Sequence, residues 1–469
     1  MQPSAELVRA LRQVVGERWV RLDPHVREIY AADALPTLHS TPSLIISPGT
    51  RAEVQQTVQI LSYHDVPFVA RGAGTGLSGG ALAGPESVLL VLTRLNRIIE
   101  VDPVDRVARI EPGVVNIRLS DRAAGHGLYY APDPSSQTAC TIGGNIAENA
   151  GGPHCLKYGV TTNHVLQLDV VLPDGEIARL GSRSGLSPGL DLVSAFVGSE
   201  GMFGIVVEAT VRLMPIPATV RTLLADFDTI AQAGESVSAI IAAGIVPAAL
   251  ELIDQNCIRA VESSVFAAGL STDVAAVLIV ELDGHSTRSV ETDVRAVEGI
   301  LQHRTQSIQI ASDPEHRARL WHARKKAYGA LGRISPDLAV QDAVVPRTRL
   351  PEILNVIADI ADHYHISVSN VFHAGDGNLH PNIAYDSNDP DETRRVEAAA
   401  AEIMQACIEA GGTITGEHGV GMDKLKYMIE LFDADTLAAM SAVRDAFDPD
   451  GRANPGKVIP IHSCSEWKR

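Results

Sequence analysis

The sequence predicts an α+β protein of two domains, on three observations. At 469 residues, with 45% hydrophobic and 20% charged residues, the chain is too long for one ordinary core and too apolar to stay unfolded. Up to about residue 214, short β-rich runs surround glycine-rich loops. After Pro215-Ile216-Pro217, a linker signal, longer strands alternate with longer helices, as in an antiparallel sheet with helices on one face.

The elements follow in order. Residues 4–16 read as a helix capped by Ser4. Thr50 and Glu53 form a capping-box pair that opens a second helix, running to about Tyr63. Residues 66–70 are a short apolar strand with a glycine-rich loop directly behind it. Short β-rich runs at 87–92, 97–101 and 106–111 precede a short helix at 117–124. Residues 132–163 are rich in Gly, Asn, Ser and Thr. They are expected to lack regular structure, and at this length that points to function. Residues 168–172 and 176–180, joined by Pro173-Asp174-Gly175, read as a hairpin, and 204–214 as a long alternating strand. Beyond the linker, strands are expected at about 219–226, 247–253, 275–282 and 366–372. Helices are expected at about 229–243, 285–302, 313–332, 391–410 and 434–446.

Lys plus Arg number 39 and Asp plus Glu 57, a formal net charge of −18. That excess argues against a general binder of nucleic acid or anionic membrane but leaves room for one small anion in a local basic pocket. The five cysteines (Cys140, Cys155, Cys257, Cys407 and Cys464) are scattered with no CxxC. The chain therefore encodes neither an iron–sulfur cluster nor a zinc knuckle. The N-terminus does not read as a signal peptide, and no run approaches the roughly 18 apolar residues of a spanning helix. A reducing, cytoplasmic setting is expected, peripheral to the inner membrane only through a partner.

Residues 71–80 read Arg-Gly-Ala-Gly-Thr-Gly-Leu-Ser-Gly-Gly. Gly74, Gly76 and Gly79 satisfy G-x-G-x-x-G, and Glu100 lies where a Rossmann acid would stand. A Rossmann loop must open a helix, however, and here a β-rich run follows. The better reading is a nest of bare amides for a diphosphate. Gly143-Gly144-Asn145 and Asn149-Ala150-Gly151-Gly152 place small residues and amides where a large planar ligand can lie against backbone.

These loops, with Pro134-Ser135-Ser136, Lys157-Tyr158-Gly159-Val160 and Gly198-Ser199-Glu200-Gly201, resemble the FAD domain of the vanillyl-alcohol-oxidase-like (PCMH-type) flavoproteins. The resemblance is strongest to the glycolate dehydrogenase D-subunit and D-lactate dehydrogenase group, and runs from about residue 20 to Lys457. It implies an FAD domain of two α/β subdomains over residues 1–217. An α+β, ferredoxin-like cap follows over 218–469, its last ~20 residues returning to the FAD domain. It implies that Arg71, Gly72, Ala73, Gly74, Thr75, Gly76, Leu77, Ser78 and Gly79 hold the diphosphate. Pro132, Asp133, Cys140, Thr141, Gly143, Gly144, Asn145, Asn149, Gly151, Gly152 and Ile205 would line the FAD.

Residues 373–382 read His-Ala-Gly-Asp-Gly-Asn-Leu-His-Pro-Asn, and 416–421 Gly-Glu-His-Gly-Val-Gly. His373 and His380 flank a tight turn that folds their imidazoles together, and Glu417 offers a carboxylate from a second loop. Two His and one carboxylate is the ligand set of an open catalytic zinc or another divalent metal. The bland alternative is a set of surface-loop histidines. The resemblance implies a metal on His373, His380 and Glu417, with His418 as the base that meets substrate. It also makes Arg324, within Leu320–Lys326, the carboxylate-binding arginine and Asn382 a substrate contact.

Two departures favour a small monocarboxylate over 2-hydroxyglutarate. No lysine stands near Val340-Gln341-Asp342, and Tyr328 replaces an expected threonine. The expected activity is therefore oxidation of glycolate or D-lactate to the 2-oxo acid. The alternatives are a D-2-hydroxyglutarate dehydrogenase, a non-redox transferase like alkylglycerone-phosphate synthase, and a flavin-binding subunit without catalysis. The electron acceptor is expected to be an iron–sulfur partner subunit, a quinone or a cytochrome, and the assembly a homodimer or hetero-oligomer. Relatives with covalent flavin carry a histidine in the first loop, and residues 71–80 hold none. Acid precipitation should therefore leave yellow supernatant and colourless protein; a yellow pellet would show covalent flavin.

Overall fold

Side-chain caps set the first helices. The Ser4 hydroxyl accepts from the Leu7 amide at 3.1 Å ahead of the helix Ala5–Val15. Thr50 accepts from the Glu53 amide ahead of Arg51–Tyr63. Each cap contributes about 1 kcal/mol. The computed structural model describes residues 3–460 apart from 36, 187 and 188; Cys464 lies outside the described residues.

The chain forms two compact units. The first takes the residues up to 151, then 159–216, then those from 417 onward. Its strands β1 (Val20–Arg21), β2 (Leu44–Ile46), β3 (Phe68–Arg71) and β4 (Val88–Val91) make a sheet in the order β1-β2-β4-β3, with β2, β4 and β3 parallel. Next come β5 (Ile98–Asp102), β6 (Val107–Ile110), β7 (Leu128–Tyr129), β8 (Val165–Val171), β9 (Ile177–Gly181), β10 (Ile205–Arg212) and β11 (Met214–Pro215). Five of them make an antiparallel sheet, β5-β6-β10-β8-β9, while β7 pairs with β11. Leu44, Val54, Leu61, Phe68 and Leu90 centre one core, and Ile110, Ile142, Leu168 and Phe196 the other. The returning segment adds a rung to β3: the Phe68 amide donates to Arg452 O, and the Asn454 amide to Phe68 O.

The second unit comprises 152–158 and 217–416. Its strands are β12 (Thr219–Phe227), β13 (Ala249–Asp254), β14 (Ala276–Gly284), β15 (Ser307–Ile310), β16 (Asp337–Val340), β17 (Ala343–Val344), β18 (Ser367–His373), β19 (Asn378–Leu379) and β20 (Pro381–Tyr385). The main path runs β15-β12-β14-β13-β18-β19-β17, with β20 bridging β18 and β16. The expectation of helices on one face is corrected. Every residue of β13 is buried, which requires cover on both sides. The helices Gln255–Glu262 and Pro314–Leu331 share an apolar cluster with Leu224, Ile253, Val277 and Ile279. Ile230–Ala242 and Thr287–Leu301 pack on β12 and β14 from outside that cluster.

The expectation of an irregular 132–163 is also corrected. Thr141 caps a helix, Ile142–Glu148, that ends at Asn149 in the left-handed region. Its glycines are poor helix formers, and burial of Ile142 and Ile146 in the core overrides them. The helix Leu350–Tyr364 has no side-chain cap; only Pro351 at its start and Glu352 in its first turn mark it in the sequence.

Asp254 caps Gln255–Glu262 through the Cys257 amide and accepts from the Asn370 amide and Nδ2. Burial pushes its carboxyl up to about 6 despite these bonds. The folded chain thus holds a proton that the unfolded chain releases at lower pH, so stability falls as pH rises from about 4 to about 6. The loss approaches about 3 kcal/mol, because each tenfold change in proton affinity corresponds to about 1.4 kcal/mol. Asp254→Asn should flatten that part of the profile, read as urea midpoints across this range.

Candidate active site

The first glycine loop leaves β3 and is held from beneath. Arg71 is buried, and its guanidinium donates to Tyr30 O and Ala32 O. It supports the loop rather than projecting from it. The loop carbonyls are engaged: Gly76 O accepts from Ala34, and Ser78 O from Met422 and Asp423. The amides of Gly74, Thr75, Gly76, Leu77 and Ser78 have no acceptor among the described residues, so they are the donors of an anion nest. The Gly79 amide is committed to Asp33 Oδ2 at 3.0 Å. The outermost residue of the run is Ala73.

The second glycine segment lies against the first. A Cβ on Gly72 would overlap Thr141 Oγ1 and reach Gly144 Cα, and one on Gly143 would press into Pro112. Asn116, which sequence reasoning missed, ties the segment down: its Nδ2 donates to Pro132 O and Asn145 Oδ1 at 3.0 Å. Cys140 Sγ accepts from Asn145 Nδ2. Asn149 Oδ1 accepts from the Thr162 amide. Asp133 is half-buried nearby in the chain. Gly151 ends its stretch of the first unit and Gly152 opens 152–158 of the second. The Ile205 side chain is in the core, leaving only its backbone for a ligand. Free amides above a floor of small residues fit a dinucleotide diphosphate.

Two carboxylates shape the returning segment. Glu200 accepts from the Val420 and Gly421 amides. A Cβ on Gly419, whose φ is +86°, would overlap Glu148 Oε2. Burial and the neighbouring charges of Glu200 and Asp33 hold the Glu148 carboxyl well above its usual range. Burial also raises Glu200 and pushes the Lys457 ammonium down to about 8. Lys457 Nζ donates to Leu82 O. This framework sets the backbone directly after Glu417 and His418.

In the second unit, β18 ends at His373, which pairs with Asn378 across the turn. His373 and His380 meet edge to face, ring centroids 5.3 Å apart at 88°, with a nitrogen of each within 4.8 Å of the other's. His373 Nδ1 is 2.7 Å from Glu251 Oε1. His380 Nδ1 is 3.2 Å from Gln341 O and 3.8 Å from Asp342 Oδ1. Both Nδ1 atoms thus face acceptors, the usual disposition of histidines that ligate a metal through Nε2. This donor set fits a divalent metal. Asn382 is buried, with Nδ2 donating to His380 O and Ser369 O, so it braces the turn. Asp342 fixes the last residue of this unit: it accepts from Thr415 Oγ1 and the Gly416 amide. Glu417 and His418 follow Gly416 directly in the chain.

Arg324 lies on Pro314–Leu331 with Arg317 and Trp321, at i, i+4 and i+7. Arg317 and Trp321 donate to Glu281. Arg324 Nη2 is 2.6 Å from Glu251 Oε2. Its Nε is buried without a hydrogen-bond partner among the described residues, an unsatisfied donor that calls for an explanation. Lys325 lies over the Trp321 ring and Lys326 is exposed. Glu251 and Asp342 were missed by sequence reasoning. The available signal for Glu251 was one carboxylate between Leu250 and Leu252 in an apolar strand.

Residues 42–181 match the family described as "FAD binding domain", and residues 216–458 the family "FAD linked oxidases, C-terminal domain". The chain is 46% identical over 439 residues to glycolate oxidase subunit GlcD of Escherichia coli (strain K12), covering 93% of this chain and 88% of that one. It is 31% identical over 466 residues to D-lactate dehydrogenase of Anaerostipes hadrus, covering 97% of each. An alkyldihydroxyacetonephosphate synthase structure superposes with a TM-score of 0.78 at 18% identity, over 97% of this chain and 86% of that one. At that identity it is a likeness of fold.

Two glycines of the first loop predict opposite phenotypes. Gly72→Ala should cost about 1–3 kcal/mol through overlap with Thr141. A Cβ on Gly76 meets nothing within 4 Å. Gly76→Ala should therefore leave apoprotein melting unchanged and weaken FAD retention by ~10-fold, the equivalent of about 1.4 kcal/mol. Equilibrium dialysis of the flavin checks this.

Proposed function

Because the chain belongs to the FAD-linked oxidases and is an FAD-dependent 2-hydroxy-acid dehydrogenase, we propose that its substrate is glycolate, with D-lactate second, and that it uses a divalent metal, zinc by preference. The observation that carries this is the pair His373 and His380, both with Nδ1 facing an acceptor, on a sheet whose Glu251 also holds Arg324. The name of the GlcD relative supports glycolate.

Arg324 binds the substrate carboxylate, using its buried and uncommitted Nε. Asn382 keeps the His380 backbone in place. Nδ1 of His418 is enclosed by protein, so Nε2 takes the substrate hydroxyl proton. His373, His380 and Glu417 would hold the metal, whose positive charge favours loss of that proton. FAD, bound along residues 71–79 and the segment from Pro132 to Gly152, supplies the acceptor for the C2 hydride. The products are the 2-oxo acid, reduced flavin and a proton on His418.

A small acid is favoured. Asp342 is buried beside His380, where its carboxylate repels a second substrate carboxylate, and no lysine stands there to counter it. Electrons leave for a separate protein, for which an iron–sulfur partner subunit is the first choice. Cys140, Cys155, Cys257 and Cys407 are free cysteines with no cluster spacing.

Dye reduction with a panel of D- and L-hydroxy acids tests this. Glycolate and D-lactate should reduce the dye, and L-lactate and 2-hydroxyglutarate should not. Chelation should lower the rate at least ~10-fold, with recovery on adding zinc or manganese. Full activity after chelation and in His373→Ala would remove the metal. No dye reduction by any hydroxy acid would favour the transferase reading.

A further inference from the structure

We propose that Glu251 is the positioning residue that sets the tautomer of His373 and, with the same carboxylate, the fork of Arg324. This rests on the metal reading above. Glu251 is wholly buried on β13, directly opposite His373 on β18, where cross-strand side chains lie close enough to bond. Oε1 faces His373 Nδ1 at 2.7 Å, and Oε2 forms an ion pair with Arg324 Nη2 at 2.6 Å that is not aligned as a hydrogen bond.

His373 Nδ1 lies 2.7 Å from Glu251 Oε1 and 3.5 Å from Arg324 Nη2. Arg324 can only donate, so an Nδ1 lone pair would suit Arg324 and leave Oε1 without a proton. With the carboxylate closer, the proton is on Nδ1 and the lone pair on Nε2, the form that ligates a cation. Glu251 therefore acts on two parts of the site without touching the reacting atoms. It keeps the His373 lone pair outward, and it neutralises one edge of Arg324 while leaving Nε for a ligand.

A glutamine at 251 can satisfy only one of these two donors. If its oxygen turns to Arg324, its amide N–H faces Nδ1, and the His373 proton moves to Nε2. If its oxygen turns to His373, its NH2 opposes Arg324. A second substitution, Arg324→Met, removes that conflict and lets the glutamine oxygen return to His373.

The test is zinc affinity of the flavin-loaded protein, stripped with chelator and titrated against a chromophoric zinc indicator. Glu251→Gln should weaken zinc binding 10–100-fold, the range for loss of such a partner, with flavin absorbance unchanged. Glu251→Gln with Arg324→Met should recover most of the affinity. Glu281→Gln, a buried glutamate held by Arg317 under the same helix, should leave zinc affinity unchanged. The proposal is overturned if Glu251→Gln binds zinc as the parent does, if Glu281→Gln loses as much, or if the double variant shows no recovery. If His373→Ala abolishes zinc binding while Glu251→Gln does not, only this inference fails. If the parent chain takes up no zinc, the metal reading falls and takes this inference with it.

Discussion

A buried carboxylate must find donors, and in the second unit that requirement sets the architecture. Thr222 stands opposite Glu281 on β12 and β14, and Glu251 opposite His373 on β13 and β18; Glu281 is opposite Ala249, two residues from Glu251, so all four share one face of the sheet. Glu281 and Glu251 have almost no exposed surface. Leaving either without its partner would cost about 3–5 kcal/mol. The helix Pro314–Leu331 meets both with one stripe: Arg317 and Trp321 serve Glu281, and Arg324 serves Glu251. Its rotation about its axis is thereby determined, as is the place of the arginine available to an anion.

Glu281 shows which force dominates. Burial alone would raise its carboxyl, yet hydrogen bonds from His154 and Arg317 and the Arg317 charge hold it far below the usual range. His154 belongs to the short stretch 152–158, whose Lys157 and Tyr158 also bind Asp283. A piece of the glycine-rich segment is thus fastened to the end of β14 by ion pairs and hydrogen bonds.

The first unit follows a complementary rule. Here backbone is the functional surface, and side chains are removed to expose it. The 71–80 loop has its carbonyls engaged by Ala34, Met422 and Asp423 and its central amides left over. Glycines stand where Thr141, Pro112 or Glu148 would collide with a Cβ. The Glu148–Glu200 pair does the same for 419–421. Two carboxyl groups close together in a buried place hold protons more tightly, and the Glu200 carboxylate is stabilised by the Val420 and Gly421 amides and by the charges of Lys424 and Lys457.

Much of this was legible in the chain itself. The capped helices, the hairpin at 165–181, the long strands after Pro217 and the loop at 71–80 are written in local patterns of caps, turns and alternation. The histidines were visible because they flank Gly-Asp-Gly, and the folded chain pairs their rings. The helix Ile142–Glu148 was hidden because its glycines argue against it and only burial of Ile142 and Ile146 makes it form. The helix Leu350–Tyr364 was hidden because no capping side chain opens it, and only Pro351 and Glu352 mark its start.

Sequence by itself determined most of the element order, the cofactor-type loops and the residue types of the site, since those depend on neighbours a few positions apart. Tertiary structure alone decided which groups serve them. Glu251 is 122 residues from His373 and 73 from Arg324, and Asp342 is 74 from Gly416. Such pairings come from strand register and helix rotation, and no local pattern encodes them. The −18 charge reads differently for that reason: several of the carboxylates behind it are buried partners of arginines, histidines and amides, placed by the fold to hold the site in position.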